Sequence, residues 1–459
     1  MIRDNASAFA VIQEFQVTPR RPLFVMGLVL VVYIALGIGY ALRTAAWQAP
    51  DEPAHYNYVA QIAASGCCPV IAEGDWDQEY LSALTTARFA PELLDRFETI
   101  QYEDHQPPLY YLLGAPVFSL TSGSLTALRL FSVMLGVWVI VFTFAIGLQV
   151  TPQRPWVAVA AGAFVAFLPQ HTAILASVNN DALAEVVIAA GLYTLIRRIR
   201  QPDSVPVWVL GMIAGIGALT KASALFLFGL IPIMLILSAL LERRPFRLLA
   251  RDVALFLGIS LAIASLWWVR NLSVYGAPDF LGLGAHDAVV IGQLRTADRI
   301  AEWGWEAYLR TSFETTVNSF FGQFGWMALP MPLWMVQLFA VMAAAGLIGA
   351  LLGLLMRLGG GAQTRLRLSW LALLLALGFG VLQFIYYNTT FVQPQGRYLF
   401  AALVPLALLL AWGWDVWARL IAPRLAAADL LPVLPVAIAL ILLPLNVWIL
   451  WRFIPLLAP

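Results

Sequence analysis

The chain has 459 residues, of which 61% are hydrophobic and only 12% charged, with a net charge of +1. Soluble domains are about half apolar and about a quarter charged, so this composition excludes one and points to an integral membrane protein. The near-zero net charge excludes a general basic field for nucleic acid, and any electrostatic recognition must be local.

In chain order, residues 1–22 form a polar tail ending in Arg20-Arg21. A long apolar run follows without a small-residue cleavage site, which predicts a retained first span over 23–42. The apolar runs are about 17–25 residues long and helical in character, which excludes the alternation of a β-barrel. Residues 43–124 are more polar and predict a large loop with two surface-lying helices. These open at Pro53 and Pro107, because proline suits the first helical position. Further spans are expected over 125–149, 156–176, 182–198, 206–220, 222–241, 250–270, 331–356, 367–387, 398–417 and 431–451. The stretch 206–241 is too long for one span at about 1.5 Å per residue, so it is read as a hairpin broken at Thr220-Lys221-Ala222-Ser223. The fold class is therefore an all-α polytopic membrane protein with about 11 transmembrane helices. Its parts are a tail (1–22), a transmembrane core (23–270) that includes the loop 43–124, a second, aromatic-rich loop (271–330), and C-terminal transmembrane helices (331–459).

Arginines set the orientation. Arg20-Arg21, Arg154, Arg197-Arg198-Arg200, Arg243-Arg244-Arg247-Arg251, Arg357-Arg365-Arg367 and Arg419-Arg424 fall on one side, which the positive-inside rule makes cytoplasmic. The N-terminus is then cytoplasmic, and loops 43–124 and 271–330 face outward. Cys67 and Cys68 match no zinc or redox spacing and read as two ordinary loop thiols in preference to a vicinal disulfide.

Charged groups near lipid are costly unless paired or facing a watery cavity, so they mark candidate sites. Asp51-Glu52, just beyond the first span, lead into a helix that places His55 on the same face. The functional reading is a general base, Asp51, with Glu52 as its partner; Glu52 and His55 are candidate ligands for a divalent metal ion. The alternative is a helix N-cap. Glu103-Asp104-His105-Gln106 is a second polar cluster, in which His105 could contact a phosphate or metal and Asp104 could cap the helix at Pro107. His171 reads as interfacial packing, and Asn179-Asn180-Asp181 as capping. Lys221, the only lysine, together with Arg129, Arg270 and Arg397, runs against the positive-inside trend. Snorkelling explains any one of them; convergence would make an anion site. The aromatics from Trp303 to Trp326 suit an interface or sugar stacking. No glycine-rich nucleotide loop is present.

The ordered set Pro50-Asp51-Glu52-Pro53-Ala54-His55, His105-Gln106-Pro107-Pro108-Leu109-Tyr110-Tyr111, Thr220-Lys221, Arg270-Asn271 with Gly276-Ala277-Pro278, and Gln395-Gly396-Arg397-Tyr398 resembles the GT-C superfamily of membrane glycosyltransferases. The likeness is to its protein mannosyltransferase and aminoarabinose transferase branch, and closer still to an allied bacterial multi-spanning family. It covers roughly residues 23–400. The resemblance implies an inverting transfer of a sugar from a polyprenyl-phosphate donor, at the extracytoplasmic face of a bacterial inner membrane, to a glycan, lipid or protein acceptor. Under it Asp51 is the base with Glu52 its partner. Lys221, Arg270, Arg397, Arg129 and His105 hold the donor phosphate. A metal serves some branches only. Two rival functions are a lipid-linked saccharide flippase and a non-catalytic assembly subunit of a cell-envelope glycan system.

Overall fold

The computed structural model describes residues 20–202, 204–356, 364–421 and 432–459. The expected tail lies outside these residues apart from Arg20, Arg21 and Pro22, which open the first helix. Arg357 and Arg424 also lie outside them. The helices are α1 Arg20–Arg43, α2 Glu52–Ser65, α3 Gln78–Thr86, α4 Leu109–Leu120, α5 Leu125–Val150, α6 Pro155–Phe167, α7 Pro169–Leu175, α8 Asp181–Arg200, α9 Val207–Ala218 and α10 Leu227–Leu241. They continue with α11 Phe246–Tyr275, α12 Leu283–Val289, α13 Thr296–Trp303, α14 Trp305–Phe321, α15 Leu333–Leu355, α16 Thr364–Thr390, α17 Leu403–Ile421, α18 Leu434–Leu440 and α19 Leu442–Trp448. One two-residue hairpin, Gln323–Phe324 with Leu329–Pro330, follows α14.

Every expected span coincides with a helix. Among the described residues eight helices are long and apolar enough to cross a membrane, and the pair α6–α7, bent by 66°, makes a ninth if it is one span. The two that fall short of the expected number do so for visible reasons. Helix α8 carries Asp181, Glu185 and three arginines. Helix α9 has 12 residues, so it reaches only about 18 Å against a hydrocarbon core of about 30 Å.

Helix α6 is the central post. Its run from Val157 to Phe167, rich in alanine, is buried on every side, as a helix that is apolar all round must be. Helices α1, α5, α17 and α18 pack around it. Small residues set the closest crossings. On α15, Gly346 and Gly349 lie against Gly413 of α17, where an added Cβ would strike a main-chain carbonyl. Trp414 and Trp417 tie the same pair together by donating to the carbonyls of Met342 and Ala345 at 2.9 and 2.8 Å.

The bend at Leu168-Pro169 follows from chemistry. The residue before a proline is pushed toward extended backbone, and Leu168 adopts it with ψ 116°. The bend aims His171 and Gln170 into the bundle, where Nε2 of His171 meets Glu185 at 2.7 Å. Helices α2 and α4 lie together under the first loop, joined by stacked Tyr58 and Tyr111 with ring centroids 3.8 Å apart. In that loop Cys67 and Cys68 are joined as a vicinal disulfide, where two ordinary thiols were expected.

Candidate functional site

Asp51 occupies the N-cap position of α2 in the left-handed region (φ 65°), yet its side chain makes no capping bond. The capping alternative therefore fails for this carboxylate. The positive φ turns it away from α2 and into the protein, where Oδ1 accepts from the Tyr102 hydroxyl at 2.9 Å and Oδ2 from Nη2 of Arg397 at 2.5 Å. A non-glycine residue held in this region costs about 1–3 kcal/mol, a strain that clusters at functional sites.

Arg397 is placed by its neighbour. Gly396 approaches the backbone of α14 so closely that a Cβ would collide with Phe320. Its N–H also donates to Oγ of Ser319 at 2.8 Å. That close approach accounts for the glycine in Gln395-Gly396-Arg397-Tyr398. Arg397 is 6% exposed. Its Nη2 serves Asp51 and, at 3.4 Å, the Tyr398 hydroxyl. Its Nε and Nη1 are buried with no partner.

Lys221 sits in the break between α9 and α10, extended at φ −165°. Its ammonium meets Asp181 at 2.6 Å. Asp181 opens α8, where Oδ1 of Asn179 accepts from its backbone N–H at 2.8 Å. The turn 103–106 rests on the same helix start, for Asn180 donates to Gln106 at 3.4 Å. The backbone N–H of Gln106 donates to the Glu103 carbonyl at 2.9 Å. Asp51, His55, Asp181, Lys221 and Arg397 thus lie within electrostatic reach of one another, with Glu103 coupled to Asp51, Lys221 and Arg397.

These fields set the proton affinities. Burial alone would raise the Asp51 carboxyl, but Arg397 and His55, with the bonds from Arg397 and Tyr102, hold it below its ordinary 3.8. Burial and the Asp51 charge push Glu103 up to about 7. Burial, then Lys221, lowers His55 to about 3, so its imidazole is neutral and Nδ1 pairs with the Tyr111 hydroxyl at 2.8 Å. Burial and His286 lower His105 well below the usual value; its ring stands 4.4 Å from that of His286. A neutral His105 brings no charge to a phosphate. Asp104 caps no helix: it accepts from Gln61 at 2.8 Å, and burial lifts it to about 8.

Two expected anion ligands are used up elsewhere. Arg129 is 3% exposed and Glu52 fully buried. Nε and Nη2 of Arg129 donate to the two Glu52 oxygens at 2.8 and 2.6 Å. The remaining N–H groups go to the carbonyls of Ala41, Thr44 and Ala45 at 3.2, 2.6 and 3.1 Å. All five guanidinium donors are thereby spent. Arg129 caps the C-terminal end of α1, whose last carbonyls lack helical partners. Glu52 also accepts from the Val178 N–H at 3.2 Å, so it fastens α2 and does not partner Asp51. Arg270 donates to the carbonyls of Cys68 and Pro69 at 3.2 and 2.5 Å, to Asn271 at 3.0 Å and to Tyr275 at 3.2 Å. It clamps the first loop to α11 and leaves only Nε unassigned.

The metal candidates do not converge. Glu52 faces Arg129 and His55 faces Tyr111, and among the described residues no three His, Cys, Asp or Glu side chains group as ligands. The residues present do not fit a metal centre at this site.

A family model described as "Predicted membrane protein (DUF2142)" matches residues 95–409. The chain belongs to this family. The matched DUF2142 region holds Glu103, His105, Asp181, Lys221, Arg270 and Arg397, whereas Asp51 and Glu52 precede it. Among solved structures the chain is similar to the crystal structure of ArnT from Cupriavidus metallidurans bound to undecaprenyl phosphate. The identity is 16% and the TM-score 0.49, covering 95% of this chain and 73% of that one. No curated protein sequence matches it.

Sequence reasoning gave no role to Glu103, read Asp181 as a cap, and missed Tyr102 and Tyr398. A signal existed for Asp181: a lone lysine between apolar segments needs an acidic partner. None existed for Tyr102, whose hydroxyl reaches Asp51 only through the tertiary fold.

Proposed function

We propose that this DUF2142 protein is an inverting glycosyltransferase that takes its sugar from a polyprenyl-phosphate carrier at the extracytoplasmic face of a bacterial inner membrane. The observation that carries the reading is Arg397: a buried guanidinium held by Asp51, with Nε and Nη1 unpartnered. A buried unsatisfied donor costs about 1–3 kcal/mol, and more when charged. An arginine fork recovers that cost best on a planar or tetrahedral oxyanion. Lys221 adds a second cation in the same electrostatic neighbourhood. Lys221 stands in the break between α9 and α10, and Arg397 in the short turn that leads into α17. The resemblance of the ordered motifs to GT-C enzymes supplies the chemistry. Preorganised cations stabilise charge growing on the departing phosphate, an effect that often dominates catalysis. The acceptor is a hydroxyl on a glycan, lipid or protein.

A lipid-linked saccharide transporter is the second reading, favoured by one observation. The buried pair His171–Glu185 places ionisable groups inside the bundle, as substrate pathways often do.

The test is native mass spectrometry of the purified protein with a panel of polyprenyl-phosphate sugars. Retention of one donor, weakened by Arg397→Ala, supports the reading, and release of polyprenyl phosphate on adding acceptor membranes completes it. Movement of labelled lipid without covalent transfer supports the transporter. No preference over ordinary phospholipid overturns both and leaves an assembly subunit.

A further inference from the structure

We infer that Glu103, not Asp51, takes the proton from the acceptor hydroxyl, and that Asp51 is the positioning carboxylate that holds Arg397 in place. The inference rests on the transferase reading and assigns its base. A base needs a free lone pair directed at the reacting group. Each oxygen of Asp51 already accepts a bond, one from the Tyr102 hydroxyl and one from the Arg397 guanidinium, and these stabilise its ionised form and weaken it as a base. Glu103 has no such guanidinium or hydroxyl bond. Its Oε2 is buried without any hydrogen-bond partner. The backbone N–H of Gln106 closes the turn on the Glu103 carbonyl at 2.9 Å, and Gln106 is braced by Asn180 at the start of α8. The groups around Glu103 are Asp51, Lys221 and Arg397, with Asp104, Tyr102, Tyr111 and Tyr387 also within its field.

The step balances. The acceptor O–H proton passes to Oε2 of Glu103 as the acceptor oxygen bonds to the anomeric carbon. The bond from that carbon to the phosphate oxygen breaks, and its electron pair leaves on the polyprenyl phosphate, beside Nε and Nη1 of Arg397 and the Lys221 ammonium. A carboxyl titrating at about 7 accepts a proton near neutrality, whereas Asp51, held below 3.8, is too weak a base to do so. Glu103 must be ionised to act, so the rate falls as pH drops through about 7.

The experiment uses the full chain in liposomes with two readouts: undecaprenyl phosphate retention by native mass spectrometry, and transfer from the donor that the panel identifies. Glu103→Gln is expected to keep the lipid adduct and to lose turnover by about 100- to 10,000-fold with KM little changed, the usual range for a general base. Glu103→Asp is expected to restore part of the rate and to move the acidic limb of the pH profile. Turnover by Glu103→Gln within threefold of wild type overturns the assignment and leaves the transferase reading standing, as does a wild-type rate flat from about pH 5 to 9, since an ionising base near neutrality must bend it. Wild-type protein that retains lipid but transfers nothing overturns the base and the transferase reading together.

Discussion

Replacing Arg129 with methionine separates a cation that builds the fold from one that binds a ligand. In the wild type Arg129 satisfies both oxygens of fully buried Glu52 and three main-chain carbonyls. Arg129→Met leaves Glu52 with the Val178 N–H as its remaining donor. It also strips Ala41, Thr44 and Ala45 of their side-chain donor at the end of α1. Breaking a buried ion pair by removing one partner costs about 3–5 kcal/mol, because the other charge stays buried and uncompensated. Against a typical native stability of about 5–15 kcal/mol, the variant should unfold well below wild type. Glu52→Gln should lose a comparable amount. The double variant should lose less than the sum, because no lone buried charge remains. Thermal unfolding in detergent, followed by tryptophan fluorescence, measures the cycle, and native mass spectrometry measures retained undecaprenyl phosphate per folded molecule. Arg129→Met should unfold early and still hold lipid per folded molecule; Arg397→Met, which leaves Asp51 without its counterion, should lose the lipid adduct per folded molecule whatever its midpoint. An Arg129→Met protein with the wild-type midpoint and no lipid adduct would refute the donor count and return Arg129 to the phosphate site.

On the proposed transferase reading, Asp51→Asn should fold and retain lipid but lose transfer at least about 100-fold, because the amide no longer fixes the guanidinium charge proposed to meet the phosphate; full activity in a turnover assay would remove Asp51 from the site. Asp104→Asn should match wild-type stability at acid pH and exceed it at alkaline pH. Below 3.8 both the folded and unfolded Asp104 carry the proton; between there and about 8 only the folded state keeps it, so wild type loses stability across that window,. Unfolding midpoints from acid to alkaline pH check the sign. Gly413→Ala drives a methyl into the Gly346 carbonyl across the α15–α17 crossing and should cost at least about 1–3 kcal/mol. Gly258→Ala, inside α11 and meeting nothing within 4 Å, is the clash-free control and should keep or raise the midpoint, since alanine is the better helix former.

Most of the fold was legible because lipid imposes long apolar helices whose ends are marked by arginine and proline. Each expected span coincides with a helix, and the shortfall lies where apolar length alone misleads: α8 carries charge and α9 is too short. The site was half legible. Asp51, Lys221 and Arg397 stood out because charge near lipid demands a reason. What sequence could not supply was the state of their partners. Glu52 and Asp51 are adjacent carboxylates on the same loop, yet one is closed off by Arg129 and the other opens onto Arg397. The difference arises from the αL turn at Asp51, which sends the two side chains in different directions. Nothing in Pro50-Asp51-Glu52-Pro53 announces a positive φ at a residue that is not glycine.

Lys221, Arg129, Arg270 and Arg397 are among the cations on the side expected to face outward, and their hydrogen bonds sort them. Arg129 and Arg270 spend their donors on carbonyls at a helix end and in a loop, so their charge holds backbone that has no other partner. Lys221 is matched by a single carboxylate. Arg397 alone combines burial, a counterion and unspent donors. A guanidinium free to turn would satisfy Nε and Nη1 on water or a nearby carbonyl. This one is fixed from behind, since Gly396 is pressed against α14 and Asp51 grips Nη2. That constraint costs stability in the resting protein and removes the reorganisation that a mobile cation would undergo as charge develops on a bound phosphate. Held this way, the same strain that burdens the fold would serve, on the proposed function, as preorganisation for an anion.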